Sequence, residues 1–292
     1  RLEVTKDVGL IPCPHQSELN WILPDDFEHF PPRRNVAGHK GSFGHLAIFA
    51  GSFGFHGAAV LAARAAQRAQ PGLVTVFTQE NVYHAVAAQL QAAMVNVWKP
   101  EMKLPESVSA ILFGPGLAAP DLPGEFKPFA RRLWRDSSLP VIADASALDW
   151  LPSQHLPENF IRVVTPHPGE AARMLNQNAA QIQADRPRAV REISRRFANS
   201  RVVLKGHQTL IGRDAGDIFV NSSGNPHLAQ GGSGDALAGF LAGFLVQPEL
   251  RTDADKTIRH AVWQHGNAAD ELSAKRANWT VEALVDELGN AR

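Results

Sequence analysis

Residues 45–78 read HLAIFAGSFGFHGAAVLAARAAQRAQPGLVTVFT, and three signals follow one another in them. Residues 45–51 are a short apolar run ending at a glycine, as a strand buried on both faces would be. Residues 57–70 are alanine-rich, which favours helix. Residues 73–78 are a second run, rich in β-branched side chains, and predict another strand. Strand, helix and strand at this spacing form a βαβ unit, whose two strands lie parallel.

The alternation continues in both kinds of element. Residues 109–114, 140–144, 162–165 and 201–205 are further buried-looking strands. Residues 82–90, 126–134 and 187–199 read as helices. The expected fold is therefore α/β, a mainly parallel sheet with helices on both faces. Residues 209–221 break the pattern with two short runs around a Gly/Asp turn, and predict a hairpin. Two long helical patterns, 254–273 and 280–288, close the chain. Residues 1–38 carry Pro12, Pro14, Pro24, Pro31 and Pro32 and are expected to be a leader or linker ahead of a main domain at 39–292.

Composition narrows the function classes. The 292 residues are 44% hydrophobic and 20% charged, with 29 Lys+Arg against 29 Asp+Glu. A net charge of zero argues against a nucleic-acid or membrane partner held by bulk charge. The single cysteine, Cys13, rules out an internal disulfide framework and a multi-cysteine metal site, and favours a cytoplasmic protein. No apolar run reaches the roughly 18 residues of a membrane-spanning helix.

Ligands of open α/β sheets bind at the carboxyl ends of the strands. The strand-end loops here gather Gly, His, Asp, Glu and Lys: GSFGFHG after the first strand, GPG (114–116), DASAL (144–148), TPHPGE (165–170) and KGHQT (205–209). The densest glycines come later, in GNPHLAQGGSGDALAGF (224–240). There Gly231, Gly232, Ser233 and Gly234 run into a helical pattern, and Asp235 falls in its first turn. Amides at a helix N-terminus point together at the positive end of the dipole and bind phosphate or a developing oxyanion. An acid beside them can accept a proton from a hydroxyl attacking a phosphoryl group. The dipole is expected to keep Asp235 ionised and to weaken it as a base. An isolated Asp in such a turn reads as well as a helix-cap acid. No Gly-Lys-Ser/Thr follows the glycines, so this is not a Walker A loop, and Gly51, Gly54 and Gly57 do not have dinucleotide-fingerprint spacing. Gly239 and Gly243 predict close packing of the following helix against a neighbour.

These segments, in this order over about residues 39–246, resemble the ADP/ATP-dependent NAD(P)H-hydrate dehydratases of the ribokinase-like superfamily. AVWQHGNAADEL (261–272) is similar to the family's next helix. The resemblance implies a lyase that repairs hydrated NADH or NADPH. It phosphorylates the ring hydroxyl with ADP or ATP and Mg²⁺, then eliminates phosphate. It implies Asp235 as catalytic acid and Gly231–Gly234 as anion hole. Ala58, Gly116, His167 and Asp235 would meet the hydrated dinucleotide. Lys205, Gly206, His207, Gln208, Thr209 and Gly234 would meet the adenine nucleotide. Asn225, Glu170 and Asp144 would support them, with Glu170 as a candidate for Mg²⁺ through water. Residues 1–12 are similar to the last strand of the NAD(P)H-hydrate epimerase domain often fused ahead of this one, and family members often assemble as homo-oligomers.

The chain departs from the family in two places. DASAL has Ser146 where a second acid is usual, and Gln70-Pro71 replaces a Gly-Ala-Gly turn. Other readings stay open on the residues alone. His167 serves equally as a packed loop histidine, Glu170 as a first-turn helix acid, Asp144 as a structural acid and Lys205 as a strand end. Lys40 reads as either a phosphate contact or a solvated lysine. His260 and His265, five apart, read as structural, and Met94, Met102 and Met174 as packing residues. The rival functions are a ribokinase-like kinase for a vitamin precursor or sugar, and a catalytically silent nucleotide-binding module.

Overall fold

The computed structural model describes residues 17–157 and 159–290. In chain order the strands and helices are β1 (Leu19–Ile22), β2 (His45–Phe49), α1 (His56–Arg68), β3 (Leu73–Thr78), α2 (Tyr83–Ala87), β4 (Met94–Val97), β5 (Ala110–Phe113), α3 (Phe126–Asp136), β6 (Val141–Ala143) and β7 (Arg162–Val164). They continue with α4 (Pro168–Leu175), α5 (Ala179–Ala184), α6 (Arg186–Arg196), β8 (Arg201–Leu204), β9 (Leu210–Gly212), β10 (Ile218–Asn221), α7 (Ser233–Leu245), α8 (Ala254–Lys275) and α9 (Val281–Glu287).

The strands form one sheet in the order β1-β10-β9-β8-β7-β6-β5-β2-β3-β4. Strand β9 runs antiparallel to both neighbours, and the other pairings are parallel. The predicted βαβ unit is β2–α1–β3, with Leu46 opposite Val74 and Ile48 opposite Val76. The expected hairpin is β9–β10.

Alternate residues of the central strands enter two cores, which explains their unbroken hydrophobicity. Leu46, Ile48 and Leu112 pack with α1, α7, α8 and α9. Ala47, Phe49, Ile111 and Phe113 pack on the other face with α3, α4 and α6. Helices α1 and α7 touch backbone to backbone: a Cβ at Gly239 would lie 2.0 Å from the Ala62 carbonyl oxygen, and one at Gly243 would lie 2.4 Å from that of Ala66. The predicted close packing is thus present, and any side chain at 239 would push the helices apart.

An arginine of a central strand is fully buried. Arg162 of β7 donates through Nε to the Trp134 carbonyl (2.6 Å) and through Nη2 to that of Ser137 (2.5 Å). Its Nη1 donates to the Leu139 carbonyl at 3.0 Å. It stitches the end of α3 to the sheet, and burial lowers its pKa to about 10.

Several expectations change. Residues 19–22 lie in the stretch expected to be a leader or linker, yet they form β1 and pair with β10, and Ile22 is buried in the core. Residues 1–12, including the epimerase-like segment, and Cys13 lie outside the described residues. Strand β4 was not foreseen. Met94, read as packing, is 44% exposed on it, because β4 is an edge strand. Met174 is buried as expected, and Met102 packs partly against the core. Lys40 precedes β2, which puts it at the amino ends of the strands, away from the candidate loops.

Candidate active site

The site is built where α7 begins. Gly232 takes φ +94°, a left-handed conformation that turns the chain into the helix. A side chain there would also meet Leu61 of α1 at 2.5 Å. Gly231 faces open space, with nothing within 4 Å of where its Cβ would be. The Ser233 amide donates to the Gln230 carbonyl at 3.3 Å, leaving it less free for an anion than a bare first-turn amide. Ser233 is also held from behind, because its carbonyl accepts from His265 Nε2 at 3.2 Å.

Strand-end residues converge on this turn. Lys205, just past β8, places Nζ 3.3 Å from where a Cβ at Gly234 would be. The same ammonium donates to Asp144 Oδ1 at 2.9 Å and lies 3.7 Å from Glu170 Oε2. Asp144, just past β6, is 1% exposed and also accepts from Thr165 Oγ1 at 2.6 Å. Burial alone would lower the Lys205 pKa, but the charges of Asp144 and Glu170, and more weakly Asp235, outweigh it and hold the ammonium above its ordinary value.

Asp235 differs from expectation. Its carboxyl is pushed up to about 7, first by burial and then by the negative charge of Asp144, with Lys205 opposing and Glu170 adding. The local dipole was legible in the sequence. The desolvation and the carboxylates from distant loops were not. The outcome is an acid poised to exchange a proton near neutrality, where general bases work best.

His167 is the N-cap of α4. Its Nδ1 accepts from the amides of Gly169 (3.0 Å) and Glu170 (3.4 Å), so its proton sits on Nε2, on a half-exposed ring. Glu170 Oε2 accepts from the His167 amide at 2.7 Å, closing a capping box. Glu170 is therefore both a first-turn acid and a partner of Lys205. Among the described residues, no group of three or more His, Cys, Asp or Glu side chains is arranged to hold a metal ion. Asp144 and Glu170 are already committed to Lys205, Thr165 and backbone, so these residues do not fit a resident Mg²⁺ site.

The loops after β2 and β5 meet beside this cluster. Ala58 Cβ lies 2.8 Å from where a Cβ at Gly116 would be, and Ser52 Oγ donates to the Gly116 carbonyl at 2.6 Å. Gly114 packs on the Asp144 backbone, its Cβ position 1.8 Å from that carbonyl oxygen. Ser146 is half-buried in the helical turn after Asp144. The KGHQT loop is exposed at Gly206, His207 and Gln208, with Thr209 Oγ1 donating to the Gly206 carbonyl at 3.1 Å. Asn225 Nδ2 and the Gly224 amide both donate to the Asp270 carboxylate, at 2.9 and 2.8 Å.

The structure thus brings Asp144, Glu170, Lys205, Gly234 and Asp235 into one cluster, with Ala58 and Gly116 in contact at its side. Thr165, Asp270 and Ser52 were missed, since their roles depend on partners far away in sequence. His260 and His265 are structural as read, both buried, with pKa values lowered to about 4 by burial. His265 nevertheless supports the glycine turn through the Ser233 carbonyl.

Parallel strands ending in these loops, and an acid at a glycine-lined helix start, define a ribokinase-like α/β enzyme. The chain belongs to the NAD(P)H-hydrate dehydratase family, whose sequence profile matches residues 46–289. It is 38% identical to the ADP-dependent (S)-NAD(P)H-hydrate dehydratase of Neisseria meningitidis over 84% of this chain and 83% of that one. It is 34% identical to the bifunctional NAD(P)H-hydrate repair enzyme Nnr of Coxiella burnetii, covering 83% of this chain but 48% of the relative, so it spans about half the length of that protein. The crystal structure of the Bacillus subtilis ADP/ATP-dependent NAD(P)H-hydrate dehydratase, co-crystallised with ATP/Mg²⁺, superposes with a TM-score of 0.78 at 31% identity, over 89% of this chain and 92% of that one.

Proposed function

We propose that this chain dehydrates hydrated NADH and NADPH back to the reduced dinucleotides, with ADP or ATP as phosphoryl donor. The observation that carries the reading is the placement of Asp235, its carboxyl at about 7, in the first turn behind Gly231–Gly234 and beside the Lys205 ammonium. Asp235 takes the proton of the ring hydroxyl as its oxygen attacks the terminal phosphorus. The amides of the glycine turn, with Lys205, stabilise charge on the phosphoryl oxygens in transfer. The donor nucleotide leaves one phosphate shorter, AMP from ADP or ADP from ATP. Phosphate then departs from the ring carbon with its bonding electron pair, the adjacent ring carbon gives up a proton, and the double bond between them returns.

The Lys205–Thr209 loop and Gly234 hold the adenine nucleotide, while Ala58, Gly116 and the Nε2–H edge of His167 face the hydrated dinucleotide. Mg²⁺ that accompanies the nucleotide is held chiefly by its phosphates. An NAD(P)H-hydrate epimerase, fused or separate, fits as a partner, in line with the double-length relative. Cytoplasmic placement and self-association belong to the same reading, and sedimentation of the purified protein tests the latter.

The direct test is incubation with hydrated NADH, Mg²⁺ and either ADP or ATP, following the return of reduced-nicotinamide absorbance. Recovery with at least one donor is expected, and so is near-complete loss in Asp235→Asn with nucleotide binding retained. No recovery with either donor overturns the reading. A stable phosphorylated alcohol as product would make the protein a kinase instead.

A further inference from the structure

The nucleotide-binding reading of residues 205–209 leaves open what holds that loop in shape. The loop is conformationally demanding: Gly206 has φ +140° and Gln208, a non-glycine residue, has φ +55°. Arg186, the first residue of α6, reaches across to it. Its Nη1 donates to the His207 carbonyl at 2.6 Å and its Nη2 to the Leu204 carbonyl at 3.1 Å. The guanidinium therefore bridges the last residue of β8 and the middle of the loop. Nη2 also lies 3.4 Å from where a Cβ at Gly206 would be, so the loop folds directly over it. Burial lowers the Arg186 pKa, and among the described residues no carboxylate is paired with it to offset that desolvation. A half-buried charge spent on two backbone carbonyls fixes geometry.

We propose that Arg186 is a positioning residue for the phosphoryl donor: it presets the Gly206–Thr209 part of the loop and thereby sets nucleotide affinity, while Lys205, held by Asp144 and Glu170, keeps its place in the chemical step and the hydrated dinucleotide is untouched. The proposal rests on the nucleotide reading of that loop.

The experiment compares wild type, Arg186→Met and Arg186→Lys by steady-state kinetics and by amide hydrogen exchange, with and without ADP. In Arg186→Met the nucleotide KM is expected to rise by about tenfold or more, the scale of losing charge-assisted hydrogen bonds. The hydrate KM and kcat should stay within about twofold. Arg186→Lys, which keeps charge but not the planar fork, should fall between. Arg186→Gln replaces the Met variant if that does not fold. Unchanged nucleotide KM in a folded variant overturns the proposal. A parallel loss in kcat and both KM values also overturns it. If ADP fails to protect residues 205–209 in wild type, the loop assignment itself falls and takes the proposal with it. If wild type is protected and the variant binds ADP equally well, the role of Arg186 alone is refuted.

Discussion

Lys205 Nζ lies 2.9 Å from Asp144 Oδ1, deep between two strand ends, and the pair sets the proton affinity of a third residue. Asp144 raises the Asp235 pKa and Lys205 lowers it. The two neighbours must therefore shift the acid limb of the kcat/KM–pH profile in opposite directions. With Asp235 at about 7 and ionised in the active form, the rate of wild type rises with pH through about 7. In Lys205→Met that limb moves to higher pH, and in Asp144→Asn to lower pH, each by about one unit. Shifts of the same sign in both variants would refute this account of the cluster.

Asp235→Asn should lose activity by about 10²–10⁴-fold, the usual contribution of a positioned base. It should also become more stable. The folded-state pKa lies above the ordinary 3.8, so the native state binds more protons than the unfolded state between about pH 4 and 7. Wild-type stability therefore falls as pH rises through that window. Removing the charge cancels the loss. The gain is ~1–2 kcal/mol above pH 7, below the full interval because the half-buried carboxyl keeps some solvent. It disappears below pH 4. Denaturant titrations of both proteins at pH 4 and pH 8 measure it.

Arg162→Met should destabilise the fold by about 3 kcal/mol or more, because the Trp134, Ser137 and Leu139 carbonyls lose a charged donor inside the protein. Urea unfolding reads the change. A loss under about 1 kcal/mol would mean that water replaces the guanidinium.

Gln70 occupies the position just past α1 with φ +59°, where glycine is the favoured residue. Its carbonyl accepts from Arg34 Nη2 at 2.6 Å, a bond that any residue at 70 keeps. Gln70→Gly should therefore stabilise by about 0.5–1 kcal/mol, relief of left-handed strain offset in part by glycine entropy. Thermal melting tests it, and activity should not change.

The fold was legible wherever a strand is buried on both faces, since runs such as Leu46–Phe49 have no other use for so much apolar surface. It was obscure at the sheet edges. Strand β1 exposes Leu19 and Trp21 and buries Ile22, so four mixed residues among prolines gave no periodic signal. The site was legible in its loops, because glycine, acid and lysine concentrate at strand ends. What escaped was every property arising between loops. Thr165 locks Asp144 and Asp270 clasps Gly224 and Asn225, while Asp235 has its proton affinity set by residues far away in sequence. Helix-dipole reasoning at Asp235 pointed the wrong way because it used only the nearest turn.

The backbone contact between α1 and α7 bears on how two reactants meet. Both helices start at the reacting edge, one carrying Ala58 and the other the glycine turn and Asp235. Interlocked at Gly239 and Gly243, they have no room to slide or rotate past each other. Ala58 and the glycine turn thus belong to a single rigid body, and on the proposed assignment it carries an acceptor contact and the phosphoryl cradle together. On that assignment, the separation between the acceptor's contact and the phosphoryl cradle is set when the chain folds, so the protein has little ordering of its own left to do when the reactants bind.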